Sequence, residues 1–178
     1  MQIASRALIV IDVQNDYFSC GAYPLWNTEE TLARTEEAIG LAAAQGTPVI
    51  FVQHLAQPRT GAAPFFTAGT PGAEIHPRLR AAAPDAVVVV KEYADSFVNT
   101  VLEETLGRLG VEELLICGMM TQNCVTHTAI SKSAEKYKVT VLADCCTTVD
   151  AMIHNFALRA LALRVRLESI ADAFREQE

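Results

Sequence analysis

No run of apolar residues in this sequence approaches the ~20 in succession that a bilayer-spanning helix needs. The first apolar stretch, after Met1-Gln2-Ile3-Ala4-Ser5-Arg6, stops at Asp12. That is too soon for a membrane span or a secretory signal, so no membrane partner and a cytoplasmic location are expected. No cluster of Lys or Arg appears: 14 basic residues face 21 acidic ones, for a net charge of −7. A nucleic-acid partner, which calls for a basic face, is not expected. Glycine and proline are sparse, at 9 and 7 of 178 residues, which sets aside collagen-like and low-complexity chains. The 5 cysteines are odd in number and include no Cys-x-x-Cys pair. A disulfide framework and a zinc site built on cysteines are therefore both disfavoured.

What the chain has in quantity is apolar side chain: 51% of its residues, enough for the core of one domain of this length. Strand-sized runs stand at Ala7–Ile11, Val49–Val52, Ala86–Val90, Glu113–Cys117 and Val139–Ala143, with a weaker one at Arg164–Ile170. The first five lack clean alternation, as parallel strands buried on both faces do. Between them lie helical patterns. Asn27 precedes Glu30 by three residues, a capping signature, and Leu32, Ile39 and Ala43 follow at helical spacing until Gly46-Thr47-Pro48. Further helices are predicted over Val98–Leu109, ended by Gly110, over Asn123–Tyr137 and over Ala151–Leu163. Strands alternating with helices predict a doubly wound, three-layer α/β/α sandwich in a single domain, 1–178. The stretch from His54 to Pro84 is unusually long for a connection, which marks it as an active-site wall or an interface arm.

Polar residues close three of the apolar runs or follow shortly after. Asp12 ends Leu8-Ile9-Val10-Ile11, Lys91 ends Val87-Val88-Val89-Val90, and Cys124 follows Leu114-Leu115-Ile116-Cys117-Gly118 by six residues. Each alone is ordinary: a turn-capping acid, a solvated lysine, a buried thiol. Parallel strands, however, present their carboxyl ends at one edge, where an acid, a cation and a thiol together can activate a nucleophile. Cys124 is favoured over the other cysteines because a helix N-terminus and a nearby ammonium lower a thiol's pKa from ~8.5. Cys117 lies within a strand, Cys20 in a loop near Asp16, and Cys145-Cys146 just past the fifth strand, open to oxidation. His127, three residues beyond Cys124 on the same predicted helix, is poorly placed as its base.

Over nearly its whole length the sequence resembles the isochorismatase-like cysteine hydrolase superfamily. The resemblance rests on Ile11-Asp12-Val13-Gln14-Asn15-Asp16-Tyr17-Phe18, on Val90-Lys91 with Ser96-Phe97, and above all on Gly118-Met119-Met120-Thr121-Gln122-Asn123-Cys124-Val125 with Thr128-Ala129. It implies a Rossmann-like six-stranded parallel sheet in the order 3-2-1-4-5-6 and a catalytic triad of Asp12, Lys91 and Cys124. It further implies a cis peptide between Met119 and Met120, an oxyanion hole from the backbone N–H groups of Met120 and Cys124, and a homo-oligomer. In that strand order the third strand lies about 9.6 Å from the first, so Lys91 must lean across the edge on its four-carbon stem.

The reaction so implied is covalent acyl transfer. Asp12 takes the thiol proton, Lys91 stabilises the anions, and a thioester forms and is hydrolysed, with no organic cofactor needed. The expected substrate is a small amide, ureide or carbamoyl compound. Phe18, Trp26, Phe65, Phe66 and Phe97 are candidate pocket walls, and Thr121 within the motif is a further candidate substrate contact. Nicotinamidases of the superfamily hold a metal through an Asp-x-His pair and a further His. Here Phe51-Val52-Gln53-His54-Leu55 has no acid two residues before the histidine, so His54 and His76 are read as pocket or surface residues. Vinyl ether cleavage of the isochorismatase type need not use a thiol, and Cys124 argues against it. Nicotinamidase-type amide hydrolysis stays open as a rival. A scaffold protein would be favoured by a missing triad member, and none is missing. A redox role for Cys145-Cys146 meets the strain of bridging adjacent cysteines. His154 is read as structural, and the apolar Ile153–Leu167 segment as interface or core.

Overall fold

The computed structural model describes residues 6–56 and 64–175. Its strands are β1 (Arg6–Ile11), β2 (Val49–His54), β3 (Val87–Lys91), β4 (Glu113–Met119), β5 (Lys138–Thr147) and β6 (Arg166–Glu168). All pair in parallel, in the order β3-β2-β1-β4-β5-β6. The helices are α1 (Thr28–Ala44), α2 (Pro77–Ala82), α3 (Leu102–Leu109), α4 (Thr126–Ala129), α5 (Ala151–Leu161) and α6 (Ile170–Ala173). The result is the three-layer α/β/α sandwich that the alternation of runs predicts. No helix among the described residues is long and apolar enough to cross a membrane.

The centre of the sheet shows why continuous apolarity was the right signal. Residues Ala7 to Ile11 of β1 and Leu114 to Cys117 of β4 are each at most 1% exposed, so neither face of these strands can carry a polar side chain. At the edge strand β3, Val87 and Val90 are 44% and 47% exposed, and the run is apolar without being fully covered. Helix α1 brings Leu32, Ala38, Ile39 and Ala42 to the core at helical spacing. Asn27 precedes it in a left-handed conformation, with its side chain on Glu30 rather than on the first-turn amides.

Several predicted boundaries shift, the largest of them for local reasons. The helix expected from Val98 begins at Leu102, because the Thr100 hydroxyl donates to Ser96 O and accepts from the Leu102 amide. The expected helix Asn123–Tyr137 is three pieces: a widened π turn over Thr121–Val125, helix α4, and a 3₁₀ segment over Lys132–Lys136. Thr126 Oγ1 bonds back to Thr121 O, and the Ser131 side chain accepts from Ser133 N to restart the chain. Strand β5 runs on past a register shift to Thr147, so Cys145 and Cys146 are buried within it rather than exposed beyond it. The long connection after β2 holds α2, and α5 stops at Leu161. Of the apolar segment after Asp150, α5 buries only Leu161; Met152 and Phe156 face outward at 68% and 65% exposure.

Gly118 is the position in this sheet that tolerates no side chain. It pairs with Ile11, has φ +123°, and a Cβ there would lie 2.0 Å from Ile11 O. Gly118→Ala should therefore lose roughly 2–5 kcal/mol of stability in urea denaturation, from backbone strain plus a clash with a backbone that cannot retreat. Gly107→Ala, in α3 with open space around it, is the control and should be neutral or gain up to about 1 kcal/mol. Equal midpoints for the two variants would show that the β1–β4 contact at Gly118 is looser than described.

Candidate active site

The carboxyl ends of β1, β2, β3 and β4 meet at one edge of the sheet. Asp12 directly follows β1 with φ +53°, and its amide donates to Val52 O of the neighbouring strand. Lys91 is the last residue of β3, and its register partner on β2 is His54. To reach Asp12 the lysine must pass over β2, and it does. Its Nζ lies 2.8 Å from Asp12 Oδ2, 3.0 Å from His54 Nδ1, 3.0 Å from Tyr93 O and 3.2 Å from Cys124 Sγ. The sequence-predicted Asp12, Lys91 and Cys124 thus converge, and each is at most 2% exposed.

An ammonium has three protons, and four acceptors surround this one. Its contact with Asp12 is a close ion pair. Both Asp12 oxygens are buried, and among the described residues no backbone N–H or hydroxyl is directed at either. A buried carboxylate in that condition is a ready acceptor for a further proton.

The charges set the protonation states. Burial works against the Lys91 ammonium, but Asp12 and Cys124 outweigh it and hold its pKa above the ordinary lysine value. Burial pushes the Cys124 thiol up, Asp12 pushes it further, and Lys91 pulls it back only in part. This corrects the expectation of a lowered thiol pKa. The α4 helix beyond the π turn is a single turn, too short to supply much dipole, and burial dominates. The resting sulfur is a thiol. Burial and then Lys91 lower the His54 pKa, leaving a neutral imidazole beside the ammonium.

A second layer fixes these groups. Gln14 is fully buried; its side-chain amide donates to His54 O and Ala73 O and accepts from His54 N, locking the end of β2. Asp16 accepts from Ala22 N and Phe66 N, pinning the connection after β2 to the turn after β1. Residues 57–63 of that connection lie outside the described residues. The part that follows brings Phe65 and Phe66 against Tyr17, with the Phe66 ring 5.9 Å from His54. Tyr17 is buried, and burial, Asp12 and Cys124 in that order push its phenol up, so it stays protonated. Ser96 and Thr128 share a hydroxyl contact at 2.8 Å that ties the segment after β3 to α4.

The remaining candidates are placed as follows. The peptide bond Met119–Met120 is cis. Met120 O accepts from Asn123 N and Val125 N as the π turn opens, and Cys124 lies within that turn. Thr121 is fully buried, and its hydroxyl is already engaged with Thr147 O and His154 Nδ1. Trp26 is 40% exposed beside His154, Phe18 packs on His76, and Phe97 stacks on Tyr137. His127 bonds to Asn123 O of its own turn. Cys20 is exposed, and Cys117 is buried.

Sequence reasoning did not bring His54 and Gln14 into contact with this centre. The signal that finds them is strand register: the residue opposite Lys91 on β2 has to lie under a side chain crossing that strand. Asp12, His54 and Cys124 each offer a metal-ligating atom, all within 4.8 Å of one another.

A family model described as the isochorismatase domain matches residues 6–171. The isochorismatase family protein YddQ of Bacillus subtilis is 37% identical over 151 residues, which cover 85% of this chain and 82% of that protein. A nicotinamidase of Escherichia coli is 28% identical over 182 aligned positions, covering 82% of this chain and 84% of the relative. The structure of an isochorismatase family protein from Desulfovibrio vulgaris matches with a TM-score of 0.87 at 26% identity, over 96% of this chain and 97% of the other. The strand order, the buried charges at its edge and these matches agree: the chain belongs to the isochorismatase family of hydrolases.

Proposed function

We propose that this hydrolase cleaves the C–N bond of a small amide, ureide or carbamoyl compound through a thioester on Cys124. One observation carries the reading: Lys91 Nζ stands 3.2 Å from Cys124 Sγ and 2.8 Å from the buried Asp12 carboxylate. A nicotinamidase among the relatives, acting on an amide, supports the substrate class.

In the proposed reaction the Cys124 proton passes to Asp12 as the sulfur attacks the carbonyl carbon. The net charge of the trio does not change, because Lys91 stays positive and the anion moves from Asp12 oxygen to Cys124 sulfur. Those two anions stand 2.8 and 3.2 Å from the same ammonium. At an effective dielectric constant near 20, moving the charge between them forfeits less than about 1 kcal/mol of attraction. The ammonium therefore holds either anion almost equally, and what the transfer must still climb is the intrinsic gap between a thiol and a carboxylic acid. The carbonyl oxygen becomes an oxyanion held by the backbone N–H groups of Met120 and Cys124. Protonated Asp12 then gives its proton to the departing nitrogen, which leaves as ammonia or amine. Asp12 next deprotonates a water, the water attacks the thioester, and the sulfur leaves as the thiol. Phe18, Trp26, Phe97 and Thr121 are proposed as substrate contacts or their supports.

Ammonia release over a panel of small primary amides, ureides and carbamoyl compounds tests the substrate class. Cys124→Ala should abolish release from any substrate found. Full turnover in that variant would end the thiol mechanism. Asp12→Asn should slow turnover by roughly 10²–10⁴-fold, the usual range for loss of a general base.

Alkylation by iodoacetamide across a pH series separates the two charges without a substrate. Asp12 raises the thiol pKa and Lys91 lowers it, so removing each should move the profile in opposite directions. Lys91→Ala should shift Cys124 alkylation to higher pH. Asp12→Asn should shift it to lower pH while turnover falls, because it leaves a stable thiolate–ammonium pair but no proton carrier. Shifts in the same direction would mean that the trio does not titrate as one coupled unit.

A further inference from the structure

The four neighbours of Lys91 Nζ describe a coordination shell around a cation. Three of them, Asp12 Oδ2 at 2.8 Å, His54 Nδ1 at 3.0 Å and Cys124 Sγ at 3.2 Å, are atoms that bind transition metals. Among the described residues, this is the one cluster of three such groups whose ligand atoms lie within 4.8 Å of one another. We propose that Asp12, His54 and Cys124 form a three-ligand site for a thiophilic divalent cation such as zinc or cadmium, kept closed by the Lys91 ammonium at its centre. The inference rests on the positions of these side chains and not on the hydrolytic reading, and its test needs no substrate.

The geometry fits such an ion. Zinc takes carboxylate oxygen and imidazole nitrogen at about 2.0–2.2 Å and thiolate sulfur at about 2.3 Å. An ion placed where Nζ now stands would draw each ligand inward by roughly 0.7–1 Å from its present distance. The three ligands lie on separate elements: the turn after β1, the end of β2, and the π turn after β4. One sulfur, one nitrogen and one oxygen suit zinc or cadmium better than magnesium or calcium, which favour all-oxygen shells. The buried Asp12 oxygens, paired now with the Lys91 ammonium, are anionic acceptors that an ion in its place would take over.

The ammonium explains why such an ion is kept out. It is tethered, its side chain has no exposed surface, and it supplies the one positive charge that the anionic ligands require. A divalent ion must expel it, and Cys124 must release its proton to solvent to bind as thiolate. In this reading Lys91 guards the thiol from metal as well as balancing its charge.

Cadmium is the probe, followed by equilibrium dialysis and by the ultraviolet thiolate-to-cadmium charge-transfer absorption. The background is Cys20→Ser, which removes the exposed thiol. Lys91→Met should bind one equivalent of cadmium at least about tenfold more tightly than the lysine-containing protein, and should develop the thiolate band. Adding His54→Ala should weaken binding by roughly 10–100-fold, and adding Cys124→Ser should remove the band. Lys91→Gln is run in parallel, so that a fold lost in one variant leaves the measurement intact in the other. Binding no tighter without the ammonium would overturn the proposal, as would tight binding that survives loss of both His54 and Cys124. Either result leaves the amide hydrolysis reading untouched, whereas loss of turnover in Cys124→Ala would not rescue a metal site that fails to bind.

Discussion

Taking an ammonium out of water costs several kcal/mol unless opposite charge and hydrogen-bond acceptors meet it inside. The Lys91 side chain has no exposed surface, and the ion pair with Asp12 is what makes its burial tolerable. The dependence runs in both directions. Without Lys91, Asp12 would be a fully buried carboxylate with no cation beside it, a charge that is costly to keep inside. The pair also dictates where the strands must end. Lys91 spans from β3 to β1 only because β2 between them stops at His54, whose ring leaves room for the stem and accepts from its tip. An aspartate at the end of the middle strand would have competed with Asp12 for the same cation. A neutral imidazole does not.

The backbone around that pair is held by groups that never touch it. Asp12 itself sits at φ +53°, a conformation unusual for a side-chain-bearing residue, and the amide bond to Val52 O keeps it there. Gln14 imitates a strand, giving and taking hydrogen bonds at His54 as another backbone would, so that β2 holds its last residue in register beyond the reach of β1. Asp16 does the same for the returning loop through Phe66 N. Gly118 lets β4 come against Ile11 closely enough to bring the Cys124 turn to the same edge. The motif residues between Ile11 and Phe18 thus divide their work: one carries the charge, two fix the frame, and Tyr17 closes the inner wall.

This division explains what was legible in the sequence. Continuous apolar runs reveal buried parallel strands because burial on both faces leaves no alternative, and polar residues at the ends of two of those runs identify Asp12 and Lys91. Register leaves no such trace. His54 looks like an ordinary histidine at a strand end until its pairing with Lys91 places it beneath the crossing side chain. The segment after Gly118 misleads in another way. It contains no proline or glycine from Thr121 to Tyr137, so periodicity reads it as one helix. The breaks come from hydroxyls of Thr126 and Ser131 bonding to nearby backbone, a local competition that apolar spacing does not register. Cys145 and Cys146 were misplaced because strand β5 continues through an irregularity that the apolar run does not show.

The thiol's protonation state connects the fold to its chemistry. A lowered pKa would give a sulfur that is always ionised and open to oxidation, alkylation and metals. Here burial and Asp12 oppose Lys91, and the sulfur rests as a thiol. In the proposed reaction its attack then depends on a proton acceptor a few ångströms away. The same ammonium can stabilise either anion, so the cost of ionising the sulfur is set by the balance between Asp12 and Cys124 among buried groups, not by the creation of new charge. In the proposed reaction a carbonyl group meets a neutral sulfur, an acceptor for its proton and a cation that need not move. On that proposal the sheet edge supplies a nucleophile that ionises only as it attacks, and the burial that holds the thiol protonated at rest also keeps the trio coupled.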